Sequence, residues 1–193
     1  MITMIAVMMV IGYLLGAIPF GLLIAKIWKI DIRKYGSCNI GATNVFRTLG
    51  LVPGTITFAL DFLKGMLAVY IGYWAGGNPF IVLLMGVAAI FGHMFSVFMG
   101  FKGGKGAATG LGVLAAFAPE IFIVTMISAA MLIYATRYVS VASIISSFAA
   151  AIMMFILHKP LPFTITTFMV ALFILYRHVP NIKRLLKGEE PRI

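Results

Sequence analysis

The chain has one cysteine, three histidines and five acidic residues in 193. Cys38 alone excludes an intramolecular disulfide and a multi-cysteine metal site. The acidic residues stand at 31, 61, 120, 189 and 190, too scattered to cage Mg²⁺ or Mn²⁺. No H-E-x-x-H or tight His/Asp set points to zinc, so no metal is expected. A G-x-S-x-G nucleophile elbow is missing, as is the H-x4-D base–acid pairing of many acyltransferases. Charged residues make up 10%, against about 25% in ordinary soluble domains. A separate soluble domain has no room.

What is present is apolar: 62% of the residues. A soluble fold of this size cannot hide that surface, so lipid covers it. A span needs about 20 mainly apolar residues, and the runs predict an all-α integral membrane protein with seven transmembrane helices. Ile2–Ile27 is the first, expected to be a retained span because it lacks a basic flank and a cleavage site. A polar stretch, 26–51, follows. Pro53-Gly54 opens a second span to about Ala75, and Gly76-Gly77-Asn78-Pro79 is a turn. The third runs from Phe80 to Gly100 and the short fourth from Ala107 to Ala118. Pro119-Glu120 breaks the run before a fifth, Ile121–Ala135. Ser140–Leu157 and Phe163–Tyr176 complete the seven, and the tail from Arg177 is basic. One membrane-embedded domain, residues 1–193, is expected.

The formal charge is +10. Because basic residues fall between apolar runs, they point to lipid head groups, orientation and anionic substrates, not nucleic acid. With seven spans, thirteen of the fifteen basic residues lie on one side; Lys159 lies on the other and Lys64 within a span. That places the N-terminus outside and the C-terminus in the cytoplasm. The break at Pro119 is essential to this count.

Four segments on the cytoplasmic face carry polar chemistry. Gly36-Ser37-Cys38-Asn39-Ile40-Gly41-Ala42-Thr43-Asn44-Val45-Phe46-Arg47 combines small residues that allow close backbone approach with short polar groups and a phosphate-gripping Arg47; it also reads as a plain turn-rich loop. Lys102-Gly103-Gly104-Lys105-Gly106 precedes a helix, an arrangement suited to an anion or to a basic anchor. It lacks the P-loop spacing, since Gly106 follows Lys105. Ser140 and Ser143 read as helix caps or ligands. Arg177-His178-Val179-Pro180-Asn181-Ile182-Lys183-Arg184 reads as an orientation flank or a site. Asp61 and Lys64 share a helix face and can pair; His93 suits a helix–helix link. The whole is rich in donors and poor in bases, the makeup of a site for phosphates and oxyanions.

In this order these segments resemble the PlsY family, the bacterial acyl-phosphate:glycerol-3-phosphate acyltransferases. The resemblance also rests on Tyr13-Leu14-Leu15-Gly16-Ala17-Ile18-Pro19-Phe20-Gly21, Asp61-Phe62-Leu63-Lys64-Gly65, Gly92-His93-Met94-Phe95-Ser96 and Tyr176-Arg177-His178, and it covers nearly the whole chain. Cys38 stands where the family usually has Gly, Ser96 where it has Pro, and Val179-Pro180 replaces a more polar pair.

The resemblance implies transfer of an acyl chain from acyl phosphate to the 1-hydroxyl of sn-glycerol 3-phosphate. The products are lysophosphatidic acid and inorganic phosphate, as in bacterial phospholipid synthesis. It implies no cofactor, no nucleic acid and no obligate protein partner. The setting is the bacterial inner membrane, multi-pass, with lipids as partners and the active face cytoplasmic. It assigns Arg47, Lys105, Ser143, His178 and Asn181 to the glycerol phosphate. Ser37, Asn39, Gly41, Thr43 and Asn44, with the Gly103-Gly104 backbone, go to the acyl phosphate and its oxyanion. The competing reading is a transporter of phosphate esters or organic anions. Against it, the outer face is nearly featureless and no inverted repeat is evident.

Overall fold

The computed structural model describes residues 2–193, and they form two compact units, one up to Phe117 and the other Ala118–Ile193. The first unit contains α1 (Ile2–Ala17), α2 (Phe20–Ile27), α3 (Ala42–Leu49), α4 (Leu51–Trp74), α5 (Pro79–Met94) and α6 (Ala107–Phe117). The second contains α7 (Pro119–Thr136), α8 (Val139–Ile156), α9 (Leu161–Arg177) and α10 (Val179–Leu186). Five stretches are long and apolar enough to cross a membrane: Ile2–Ile27, Leu51–Trp74, Pro79–Met99, Pro119–Thr136 and Val139–Ile156. A sixth results if α9 and α10, bent by 52°, form one span. The chain is an all-helical, multi-pass membrane protein.

Apolar side chains face outward throughout, among them Val10, Ile56, Ile127 and Phe168. That pattern suits a lipid solvent. The exposed Tyr and Trp side chains cluster toward helix ends, with Trp28 after α2, Tyr73 and Trp74 closing α4, and Tyr134 and Tyr176 near the ends of α7 and α9. Amphipathic rings favour the membrane–water boundary.

The first unit departs from the sequence reading in three places. Its first run is broken, because Pro19 has no N–H to continue the helix. The freed carbonyls are taken up by other elements: Ser96 Oγ donates to Ala17 O at 2.5 Å and Lys64 Nζ to Ile18 O at 2.8 Å. The polar stretch 26–51 is not all loop, since it folds a 3-10 turn at Ile32–Lys34 and the amphipathic α3. The third span, Pro79–Met99, matches the expected Phe80–Gly100, but its α-helix stops at Met94 and a 3-10 turn, Val97–Met99, follows. The final carbonyls of the helix are capped by the returning chain, with Gly104 N–H donating to His93 O at 3.0 Å and Gly103 N–H to Met94 O at 3.1 Å.

That early stop sets the depth of the loop after it. His93, in the last turn of α5, meets Asp61, which lies ten residues into α4 from Leu51. At 1.5 Å per residue this is about 15 Å along α4. The 95–106 segment is therefore recessed relative to the start of α4, and α6 begins from the recess. Small residues bring the helices together. A Cβ at Gly16 would overlap the Ala89 backbone, and one at Gly112 would overlap the Phe62 carbonyl.

In the second unit the helix break at Pro119 is present as expected. Glu120 at the start of α7 pairs with Lys159 after α8, and Arg192 in the tail donates to Tyr138 Oη at 3.1 Å. Successive helix ends therefore alternate within this unit. Two expectations change here. The basic flank after Arg177 is the helix α10, with Pro180 in its first turn. Neither Ser140 nor Ser143 caps α8: Tyr138 is the capping residue, without a side-chain bond. The hydroxyl of Ser140 is directed to Glu190 instead.

Candidate functional site

Two polar constructions stand in the first unit. The loop before α3 is organised around Asn44, which is 1% exposed. Its Oδ1 accepts from Ser37 N–H at 2.9 Å. Its Nδ2 donates toward Ile32 O, Tyr35 O and Asn39 O at 3.3, 3.0 and 2.9 Å. Asn39 Oδ1 in turn accepts from Gly41 N–H at 2.9 Å, an Asx turn leading into α3. Asn44 thus turns its amide inward. Its direct contribution is to hold Ser37, Asn39 and Gly41 in one arc, while Thr43 and Arg47 stand half-buried on α3. Cys38 has φ +56°, in the left-handed region that favours glycine.

The second construction is the recessed 102–106 loop. Lys102 is exposed and Lys105 half-buried. Gly106 O accepts from Gly110 N–H at 2.7 Å, so Lys105 immediately precedes the first turn of α6. The N–H groups of Gly103 and Gly104 both donate to the end of α5. Sequence alone assigned this pair to a substrate oxyanion; here the N–H groups fix the loop. Both glycines are buried, and a Cβ at either would run into His93.

Beneath this loop lies a buried polar chain that the sequence left without a role. Asp61 Oδ1 is 2.7 Å from Lys64 Nζ and 3.5 Å from His93 Nδ1. All three side chains are at most 5% exposed.

In the second unit the α9–α10 bend carries His178 and Asn181, both buried. His178 Nδ1 lies 2.8 Å from Ile174 O, a pure acceptor, so Nδ1 carries a proton. Glu190 gathers the neighbouring donors: Asn181 Nδ2 at 2.6 Å, Arg184 Nε at 2.8 Å and Ser140 Oγ at 3.1 Å. Burial alone would raise its pKa. The bonds from Asn181, Arg184 and Ser140, with the Arg184 charge, prevail and hold it below the ordinary 4.5. Sequence reasoning counted Glu190 only among the scattered acidic residues, because its spacing from Asn181 carries no recognisable signal. Ser143 stands half-buried one turn beyond Ser140 on α8.

The carboxylates are largely engaged. Asp31 is held by Arg33 at 2.8 Å, with a pKa lowered to about 2, chiefly by that side-chain bond. Asp61 is engaged by Lys64, Glu120 by Lys159 and Glu190 by Arg184. Among the described residues no three His, Cys, Asp or Glu side chains gather in a metal-holding group.

Comparison with known proteins agrees with this chemistry. A family model described as glycerol-3-phosphate acyltransferase matches residues 6–188. The glycerol-3-phosphate acyltransferase of Bacillus subtilis (strain 168) is 40% identical over 197 residues, covering 98% of each chain. That of Aquifex aeolicus (strain VF5) is 41% identical over 186 residues, covering 96% of this chain and 97% of the relative. The crystal structure of PlsY (YgiH), an integral membrane glycerol 3-phosphate acyltransferase, superposes in its glycerol 3-phosphate form with a TM-score of 0.94. Identity to it is 40%, covering 98% of this chain and 95% of that one. Its lysophosphatidic acid form gives a TM-score of 0.91 at 39% identity, with the same coverage. This chain belongs to the glycerol-3-phosphate acyltransferase (PlsY) family of integral membrane acyltransferases.

Proposed function

We propose that the chain is a single catalytic domain that transfers an acyl group from acyl phosphate to the 1-hydroxyl of sn-glycerol 3-phosphate, releasing lysophosphatidic acid and inorganic phosphate. The observation that carries this reading is the imbalance between donors and bases. Arg47, Lys105 and the polar arc at 37–44 are suited to phosphate and oxyanion, while four of the five carboxylates are held in ion pairs. The solved relative's glycerol 3-phosphate and lysophosphatidic acid forms supply a substrate and a product of the matching class.

In this mechanism Arg47, Lys105, Ser143, His178 and Asn181 bind glycerol phosphate. Ser37, Asn39, Gly41 and Thr43, on the arc held by Asn44, receive the acyl phosphate, and Gly103 and Gly104, bonded to the end of α5, set the position of Lys105. The hydroxyl oxygen attacks the acyl carbon, the acyl–phosphate C–O bond breaks, and phosphate leaves with the electron pair. With no carboxylate poised as base, a substrate phosphate takes the hydroxyl proton. The rate then rises with pH through a phosphate pKa near about 6. A histidine or carboxylate that contacts substrate and whose loss abolishes chemistry while substrate binding persists overturns that step.

The reaction takes place at the cytoplasmic face of the bacterial inner membrane in a seven-span chain, N-terminus outside. The basic residues support this orientation. The recess at 95–106 supports a crossing by α6, which needs only the remaining thickness. The test is purified protein with palmitoyl phosphate and glycerol 3-phosphate alone. Lyso-lipid appearing with released phosphate, unaffected by EDTA, is the expected result. Glycerol 3-phosphate uptake by proteoliposomes without acyl transfer overturns it in favour of transport.

A further inference from the structure

We propose that His93, held by the Asp61–Lys64 ion pair, is a positioning residue for the Gly103-Gly104-Lys105 loop. The proposal rests on the acyltransferase reading above and assigns work to a cluster that the reaction itself does not use.

The geometry links four elements of the first unit in series. Lys64 Nζ donates to Ile18 O at the α1–α2 break, sits 5.5 Å from the Phe20 ring centre and pairs with Asp61. The ammonium is thereby fixed between α4 and the break. Asp61 in turn presents Oδ1 to His93 Nδ1. The other end of the imidazole abuts the loop, since a Cβ added at Gly104 would overlap Nε2 and crowd Cε1 and Cδ2. The main chain of the same residue acts as well, with His93 O accepting from Gly104 N–H at 3.0 Å. His93 therefore braces Gly104 by ring and by carbonyl, one residue before Lys105.

A purely structural account leaves the charges unexplained. Ion pairs buried in a membrane protein are costly and often serve function, and an apolar contact would join α4 to α5 equally well. Placement of a charge-bearing loop requires a stiff, directional support, because a 1 Å displacement of a positioning group can cost about 100-fold in rate.

The test separates the two ends of the ring. His93→Asn keeps an amide near Asp61 and withdraws from Gly104, whereas His93→Gln reaches toward Gly104 and withdraws from Asp61. Each variant is purified, its thermal midpoint and elution profile are recorded, and its kinetics are measured against both substrates. The expected result is a loss of about 100-fold in kcat/KM for glycerol 3-phosphate, with KM for palmitoyl phosphate unchanged and the protein folded. Gly104→Ala should lose activity by colliding with the ring. In Gly104→Ala/His93→Asn the collision is relieved, so the double variant should retain more activity than the product of the single losses allows. Multiplicative losses, or equal rises in both KM values, overturn the proposal. If Gly104→Ala does not fold, the two His93 variants decide: wild-type kinetics in both overturn it. Absence of acyl transfer in the wild-type protein instead refutes the acyltransferase reading, an outcome distinct from these.

Discussion

Asn44 is the residue on which the first polar loop depends. Asn44→Ala would leave Ser37 N–H and three carbonyls without their partner, a loss of about 2 kcal/mol or more. The expected outcome is a lowered thermal midpoint and faster proteolysis within 32–44. Lys105→Ala should act differently. It removes one anchoring charge of the proposed phosphate site, so turnover should fall by about 100- to 1,000-fold in a protein that still inserts and melts normally. Cys38→Gly relieves a positive φ and should raise the midpoint by the equivalent of about 1 kcal/mol. Sequence pattern could identify Asn44, Lys105 and Cys38 as positions of interest, because each lies in a dense polar segment. It could not tell a ligand from a scaffold. Asn39 and Asn44 are identical on paper, and only the fold determines which amide turns inward.

At the scale of the element, α10 depends on a single carboxylate. Glu190 ties Asn181 and Arg184 of α10 to Ser140 of α8. Its folded pKa lies below the ordinary value, so this stabilisation is present above that value and is lost as pH falls through the folded one. Acidifying from neutral pH to below the ordinary 4.5 should progressively loosen the tail, seen as faster cleavage after residue 177. Glu190→Gln should be looser already at neutral pH, by about 2 kcal/mol, and should show a flatter pH response. A variant that matches wild type at every pH refutes the tether. Sequence placed the break before α7 because Pro119 is a local signal. It placed the end of the third span but not the helix stop within it, because the stop at Met94 is set by distant partners. Tyr13 Oη donates to Phe95 O at 2.6 Å, and Gly103 and Gly104 cap the helix from further along the chain, bonding Met94 O and His93 O. The apolar run itself, with Val97, Phe98 and Phe101, continues without a mark.

For the molecule as a whole, orientation is the claim that joins charge to mechanism, and the chain carries its own probe. Cys38 is the one cysteine and is exposed. It lies in the arc proposed to meet acyl phosphate on the cytoplasmic side. A membrane-impermeant maleimide should therefore label inverted membrane vesicles and leave intact spheroplasts unlabelled until they are opened. If orientation follows the basic residues, adding positive charge to the opposite side should weaken this asymmetry. The Gly76-Gly77-Asn78 turn, where Gly76 and Gly77 have open or nearly open surroundings, tolerates such residues sterically but holds both glycines at positive φ. The substitution Asn78→Lys avoids that strain at the cost of the cap that Asn78 Oδ1 gives Phe80 N–H at 2.8 Å, about 1 kcal/mol. One lysine against thirteen should leave the labelling one-sided, whereas a run of several inserted at this turn should produce a mixed population. Labelling of intact spheroplasts by the unaltered protein would place the polar loops outside. The substrates would then have to be supplied from that side, and the cytoplasmic acyl-transfer reading would fail together with the topology.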